Sequence, residues 1–345
     1  MLHGAHYPRN AWYVGAWDYE VTRQPMQRWL LNEPLVFYRS EAGNPIVLDD
    51  RCPHRYAPLS AGELNGDSIR CGYHGWEYGT DGVCRYMPGM AKPMKKAKVR
   101  SYAAIERWGW IYVWMGDPAL ADKNKLPSFH FMGDPAWPGK GELMHVEAGY
   151  NLIRDNLLDL THAKYVHKTT LATQHVTEFP VHVVEEGTRL YLRRDMVGMA
   201  EPSPLFKAAG GFKGKIDHHQ NFLFDPPNNL LVQTWVNSAA EENKDLQIEF
   251  KVANALVPET ATTTHYFWYI MRDFEIDDEE MTEWAFQANK SAFLEDKAII
   301  EQQQKLWETV PDAKAIPYRQ DKGVIRANEI VAAMVAEEGD SLNMT

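Results

Sequence analysis

The first third of the chain is written in short apolar runs, interrupted every few residues by Gly, Pro, Asn or Asp. Leu35-Val-Phe-Tyr-Arg39 and Pro45-Ile-Val-Leu48 flank Glu41-Ala-Gly-Asn44, a β-hairpin signal. Ser68-Ile-Arg70, the turn Thr80-Asp-Gly82 and the β-prone run Trp110-Ile-Tyr-Val-Trp114 continue the pattern. A stretch rich in Pro, Asp and Gly follows, from Gly116 to Gly141, and reads as a connection. Beyond it the periods mix. Tyr150 to about Val166 has apolar residues at helical spacing. Segments 181–195, 229–237, 246–257 and 262–272 read as strands of an antiparallel sheet. Asp277-Asp-Glu-Glu-Met281 places acids in the first turn of a long helix reaching about Glu308, and a last helix covers Gly323 to Glu337. The expected class is α+β: an all-β domain over residues 1–118, then residues 119–345 as an antiparallel sheet flanked by helices.

The chain has 345 residues, which suits two domains, and 45% hydrophobic content supports a sizeable core. No run of 18 apolar residues occurs, and Met1 to Asn10 lacks a charged segment leading into an apolar one. No transmembrane helix or signal peptide is therefore expected, and the default location is the cytoplasm. The net charge of −11 and the absence of a basic tract beyond Lys92–Lys98 argue against nucleic-acid binding. Three cysteines do not make a disulfide scaffold.

Chemistry enters with Cys52-Pro-His54 and Cys71-Gly-Tyr-His74, separated by sixteen residues. Each pair offers one thiolate and one imidazole. Two Cys on one iron and two His on the other is the donor set of a Rieske [2Fe–2S] cluster, whose potential is raised by neutral ligands. Structural zinc is the competing reading, but zinc pairs usually hold like ligands together. The flanks, Arg55 to Ser60 and Gly75-Trp76, are turn-rich as cluster loops require. Cys84 is expected to be a small buried hydrophobe nearby.

A second centre is suggested by Asp155-Asn-Leu-Leu-Asp159-Leu-Thr-His162-Ala-Lys-Tyr-Val-His167. Two His five apart can converge if a helix ends between them. A carboxylate from Asp296, on the long C-terminal helix, completes a two-His, one-carboxylate triad suited to non-haem Fe(II). Its neighbour Glu295 is expected to point elsewhere and be solvated. Asp159 falls one helical turn before His162, where its carboxylate could orient that imidazole. The remaining histidines, His3, His6, His130, His145, His175, His182, His218, His219 and His265, show no ligand spacing and read as structural or surface residues.

Together these residues resemble the oxygenase component of Rieske non-haem iron oxygenases, over nearly the whole chain. Arg9-Asn-Ala-Trp-Tyr-Val14, Cys52-Pro-His54-Arg55, Asp155 to His162 and Glu295-Asp296 narrow the resemblance to the branch of vanillate O-demethylase, toluenesulfonate methyl-monooxygenase and dicamba O-demethylase. The resemblance implies that Cys52, His54, Cys71 and His74 bind the cluster, and that His162, His167 and Asp296 bind mononuclear iron. It also implies a head-to-tail trimer in which Asp159 bridges His162 to the partner subunit's His74. O2 would be the co-substrate, with electrons drawn from NADH through a separate flavin- and ferredoxin-type reductase. An aromatic substrate follows, with O-demethylation of a methoxybenzoate foremost. Hydroxylation of an aryl methyl group or ring is the alternative, and a Rieske electron carrier without mononuclear iron is the reading from another class. Asp273 departs from the branch, which commonly has Asn after Arg272; Arg272 itself reads as structural.

Overall fold

The computed structural model describes residues 7–168, 176–212, 214–239, 244–310, 313 and 315–342. His3, His6 and His175 lie outside the described residues. The chain forms two compact units. Among the described residues, one comprises Tyr7–Leu126 with Val257–Thr260, the other those of 127–256 and 261–342.

The first unit is all β up to residue 114. Its strands are β1 (Trp12–Trp17), β2 (Met26–Leu30), β3 (Glu33–Arg39), β4 (Pro45–Asp49), β5 (Glu63–Asn65), β6 (Ser68–Arg70), β7 (Glu77–Tyr78), β8 (Cys84–Tyr86), β9 (Ser101–Tyr102), β10 (Ala104–Arg107) and β11 (Trp110–Trp114). They make three small sheets, ordered β1-β11-β10, β2-β3-β4-β9 and β5-β6-β7-β8. Every residue of β11 is buried, and Trp110 and Trp114 meet Trp17 and Trp12 edge-on. A continuous apolar run is what a strand covered on both faces needs. The expected hairpin pairs Leu35–Arg39 with Pro45–Asp49, closed by Gly43 at φ 83°.

In the second unit β12 (Gly139–Val146), β13 (His182–Glu186), β14 (Arg189–Met199), β15 (Ile216–Asp225), β16 (Asn229–Ser238), β17 (Gln247–Pro258) and β18 (Thr264–Arg272) form one sheet, ordered β12-β18-β17-β16-β15-β14-β13. Six strands follow one another as a meander and the first closes beside the last. The helices are α1 (Tyr150–Leu158), α2 (Ala163–Val166), α3 (Pro204–Ala209), α4 (Glu279–Glu308) and α5 (Lys322–Leu342). Helix α4 begins where its acids predict. Asp278 is the N-cap, accepting a hydrogen bond from the Met281 amide. Ala285, Phe286, Asn289, Ala292, Phe293 and Asp296 are buried along one stripe of α4, and Trp268 of β18 packs against Phe286 and Phe293.

Three expectations change. The predicted strand over 181–195 is a hairpin, β13–β14, turning at Gly187 with φ 63°. The connection ends at β12, whose Gly139 and Gly141 let the β18 backbone approach: a Cβ at Gly141 would stand 2.1 Å from the Trp268 carbonyl oxygen. The single helix expected from Tyr150 to Val166 is two, α1 and α2, because Asp159 adopts an extended conformation (φ −91°, ψ 92°) at the C-cap of α1.

Candidate metal centres

The two Cys/His loops are built alike. The Cys52 amide donates to the Ala57 carbonyl and the Tyr56 amide returns to the Cys52 carbonyl. The Cys71 amide donates to the Trp76 carbonyl and the Gly75 amide returns to the Cys71 carbonyl. Both loops turn through a left-handed residue four positions after the cysteine, Tyr56 at φ 57° and Gly75 at φ 71°. Tyrosine in that region is uncommon and strained. The cysteines are 2% exposed, inside a core that includes Val36, Leu48, Leu59 and Ile69. Cys84 sits in the same core, as expected. His54 and His74 face solvent with their rings 4.5 Å apart, and Trp76 stacks on His54 at 4.8 Å. The loops therefore bring together all four predicted residues, sulfurs inward and imidazoles outward.

Cys52 Sγ lies 3.3 Å from the buried Tyr78 hydroxyl. Burial pushes the Cys52 thiol up while the Tyr78 hydrogen bond pulls it down. Burial also drives the Tyr78 phenol far up, so its proton stays on oxygen and is available to a sulfur. Tyr78 carries no sequence signal, because a tyrosine in a short strand beside Cys52 belongs to no motif.

In the second unit His162, His167 and Asp296 converge. The two Nε2 atoms are 3.2 Å apart, and they lie 3.4 and 3.3 Å from Asp296 Oδ1. With ligand bonds of about 2.1 Å, donors on one face of an octahedron or tetrahedron stand about 3.0–3.4 Å apart, so the triangle fits one metal ion. The imidazoles are prepared for it. His162 Nδ1 meets the Asp159 carbonyl oxygen, and His167 Nδ1 meets Glu295 Oε2 at 2.8 Å. Both partners can only accept, so each Nδ1 carries a proton, and each Nε2 is the atom turned into the triangle, where its lone pair serves a metal ion once it carries no proton. Burial alone would raise the Asp296 carboxyl, but the two imidazoles hold it down at about 2. His167 is lowered by burial yet raised overall by Asp296 and Glu295.

Two expectations are corrected here. Glu295 is not a solvated bystander; it reaches back to fix His167. Asp159 does not sit on a common helical face with His162. The helix has already ended, and the backbone carbonyl of Asp159, not its carboxylate, orients the ring. The two histidines flank the single turn of α2, at its N-cap and C-cap. The Asp159 carboxylate turns aside and accepts the Thr161 amide through Oδ1 at 2.8 Å.

A cavity of about 120 Å³ opens beside the triangle. Its walls are mostly apolar, with Leu157, Leu160, Phe206, Phe222, Phe250 and Phe293 among the lining residues. The space is similar to the roughly 150 Å³ that holds benzene in an apolar core, which is room for one small aromatic ring. Arg272 is 1% exposed and donates to Thr282 Oγ1 and to the Glu275 and Asp278 carbonyls, a structural role. Asp273 accepts the Glu249 amide.

A cysteine–histidine β unit joined to a two-histidine, one-carboxylate unit is the plan of a two-centre iron oxidoreductase. Comparison with known proteins agrees. Residues 11–103 match the Rieske [2Fe-2S] domain and residues 146–337 the vanillate O-demethylase oxygenase C-terminal domain. The chain is 35% identical to the toluene-4-sulfonate monooxygenase system iron-sulfur subunit of Comamonas testosteroni, over 96% of this chain and 97% of that one. It is 33% identical to the vanillate O-demethylase oxygenase subunit of Pseudomonas sp. strain HR199, over 97% of each. It also superposes on dicamba monooxygenase bound to dicamba with a TM-score of 0.88, at 31% identity over 97% of this chain and 99% of that one. The same enzyme solved with non-haem iron and dicamba gives a TM-score of 0.83 at 30% identity, with the same coverage. The chain belongs to the Rieske oxygenase components with a vanillate O-demethylase type C-terminal domain, a family of monooxygenases and O-demethylases. Among the described residues, no helix is long and apolar enough to cross a membrane.

Proposed function

We propose that this chain is the terminal oxygenase of a multicomponent system that oxidatively demethylates a single-ring methoxyarene. In this reading Cys52, His54, Cys71 and His74 hold the [2Fe–2S] cluster, and His162, His167 and Asp296 hold a mononuclear iron. The observation that carries it is the triangle of two Nε2 atoms and one carboxylate oxygen beside an apolar cavity of one-ring size. When bound, the cluster supplies single electrons and the iron supplies activation of dioxygen. The protein's own work is geometric. Glu295 and the Asp159 carbonyl keep both imidazoles in the metal-binding tautomer, and Asn156 donates to Asp296 Oδ1 at 3.1 Å to fix the carboxylate. Phe206, Phe250 and Phe293 line the cavity and make it a dry, apolar site for the ring.

The overall reaction balances as methyl ether plus O2, two electrons and two protons giving phenol, formaldehyde and water. The electrons come from NADH through a separate reductase. The methyl carbon is hydroxylated to a hemiacetal, which collapses to the phenol and formaldehyde. The sequence expectation of a methoxybenzoate is retained here for its reacting part, the aryl methyl ether. The relation to a toluene-4-sulfonate monooxygenase subunit supports a second reading, hydroxylation of an aryl methyl group, whose product is an alcohol.

We further propose a head-to-tail trimer in which Asp159 links His162 to the partner subunit's His74. Two features support this. His74 is exposed, and Asp159 uses only Oδ1 in its hydrogen bond to Thr161. Asp159→Asn is expected to keep both metals and the α1–α2 turn but lower turnover about 10–100-fold, the scale of other lost orienting contacts. Normal turnover in the fully metallated variant would sink the link.

The test is formaldehyde release by iron-replete protein with NADH and a compatible reductase, across methoxy- and methyl-aromatics. Formaldehyde equal to O2 consumed, with three irons per chain, is the expected result. An aryl alcohol without formaldehyde moves the function to hydroxylation. Two irons per chain and no product overturn the oxygenase reading.

A further inference from the structure

The basic tract at 92–98 has no part in the chemistry described so far. Six of the 36 Lys and Arg fall within residues 83–100, and no acid occurs between Asp81 and Glu106. The rest of the chain carries 30 cations against 47 acids, so this segment is opposite in sign to the chain as a whole. Arg85 is paired with Asp81, and Arg100 donates to the Met115 and Gly116 carbonyls. Lys92, Lys95, Lys96 and Lys98 extend into solvent. The same segment exposes Tyr86, Met90 and Met94. Aromatic residues and Met are enriched at the centres of protein interfaces, and polar groups at their rims.

The segment is a loop closed on the cysteine–histidine core. Val83 and Lys98 form an antiparallel bridge, and the Cys84 amide donates to the Ala97 carbonyl at 3.0 Å. Cys84, Met87, Ala97 and Val99 turn inward and share one core with Cys52 and Cys71. Pro88 packs on the second ligand loop: a Cβ at Gly75 would stand 3.3 Å from Pro88 Cγ. Across the β7–β8 ladder Tyr78 lies opposite Cys84, and Glu77 opposite Tyr86. The exposed Tyr86 is thus on the strand next to the one whose Tyr78 hydroxyl meets Cys52 Sγ at 3.3 Å. Electron transfer slows steeply with distance. A donor seated on this loop has only one packed layer between itself and the cysteine sulfurs.

We propose that residues 83–98 form the docking surface for the electron donor, an acidic iron–sulfur domain that seats on Tyr86, Met90 and Met94 and is steered by Lys92, Lys95, Lys96 and Lys98. The proposal rests on the oxygenase reading for the need of a donor, and on the charge and packing of the loop for its place. The trimer proposed above uses His74 for the outgoing electron and leaves this loop for the incoming one. The step moves one electron: the donor is oxidised by one, the centre held by Cys52, His54, Cys71 and His74 is reduced by one, and no bond is made or broken. It runs downhill, because histidine ligation raises the potential of the receiving centre. A small surface is enough, since redox encounters are at the low end of interface size. A basic loop on a chain of net charge −11 guides an acidic partner to one face and raises its association rate.

The probe is a plant-type [2Fe–2S] ferredoxin of net negative charge, reduced before mixing with the oxidised holoenzyme. Stopped-flow circular dichroism separates the two clusters and gives the second-order rate of electron transfer. It is measured at about 0.01 M and about 1 M salt, where charges are screened beyond about 30 Å and about 3 Å. The parent rate is expected to fall about tenfold or more between the two. Combining Lys92→Ala, Lys95→Ala, Lys96→Ala and Lys98→Ala should lower the low-salt rate about tenfold or more and leave the high-salt rate within about twofold of the parent. The cluster spectrum, its potential and the oligomeric state should not move. Four exposed lysines of the second unit serve as the control, Lys207→Ala, Lys215→Ala, Lys244→Ala and Lys305→Ala combined, and their loss should change the low-salt rate by less than about twofold. A low-salt rate that survives the loop variant, or falls equally in the control, overturns the proposal. So does a rate lowered equally at both salts, since damage to the fold does not depend on screening. A changed oligomeric state would make the loop a contact between copies of this chain and also overturns it. Electron entry with the expected salt dependence, but no formaldehyde from any methoxyarene, overturns the demethylase reading and leaves the docking surface standing.

Discussion

Tyr78→Phe removes one oxygen atom from a buried ring and leaves the ring itself in place. In the native protein that oxygen stands 3.3 Å from Cys52 Sγ, with its proton held on the phenol by burial. A hydrogen bond donated to a cluster sulfur favours the reduced, more negative state. Hydrogen bonds to charged groups are worth about 1.5–3 kcal/mol in all, and only part of this differs between redox states. Taking a difference of about 1–2 kcal/mol, and about 59 mV per factor of ten for one electron, the potential should fall by about 40–90 mV. The Phe ring keeps the packing around Cys52 and Cys71, so the visible spectrum and the folding transition should stay near those of the parent. Spectroelectrochemical titration of the circular dichroism gives the midpoint directly. A potential within about 10 mV of the parent, far below that span, would mean that the Tyr78 hydroxyl does not reach a cluster ligand.

Three other changes probe the second unit. Glu295→Gln replaces an obligate acceptor with an amide at His167 Nδ1 and should weaken iron retention about 10–100-fold. The readout is iron lost to a chelator while the cluster absorbance holds, and equal retention would refute the orienting role of Glu295. His218 is neutral in the fold at about 3 and near 6.5 when unfolded. Because the folded value is depressed, native stability should fall as pH drops from about 6.5 towards 3, by up to about 1.4 kcal/mol per pH unit. His218→Leu should flatten that part of the denaturation profile, and a parallel profile would refute the burial argument. Arg272→Ala strands the Glu275 and Asp278 carbonyls and should cost about 3 kcal/mol in chemical denaturation without changing ligand affinity. A specific loss of ligand binding would instead make Arg272 a recognition residue.

The sequence was most legible where chemistry and local pattern coincide. Cys52, His54, Cys71 and His74 stand out because few other reasons exist for two mixed pairs at that spacing. Asp278 caps α4 because acids at that place have a local cause. The triangle needed only spacing and one long helix to be assembled. Glu295 was misread because a helical wheel fixes where a Cβ points, not how far a three-torsion side chain can curl back. Asp159 was misread because helical periodicity runs on through a C-cap that no Gly or Pro announces. Strand β15 was not seen at all. Its inward positions carry His218 and Gln220, where a core strand would show Val or Leu, so the alternation that marks a strand is blurred by the residues that shape the cavity.

Asp296 lies in the middle of the thirty-residue α4, while His162 and His167 bracket a helix of four residues. The two sides of the triangle therefore differ in mechanical stiffness. A mid-helix ligand is released only by opening many backbone hydrogen bonds together, whereas a single turn opens locally at little cost. An ion seated here is anchored on one side and latched on the other. Metal exchange should accordingly follow the slow-exchange pattern of backbone amides, with α2 opening while the α4 amides around Asp296 stay protected.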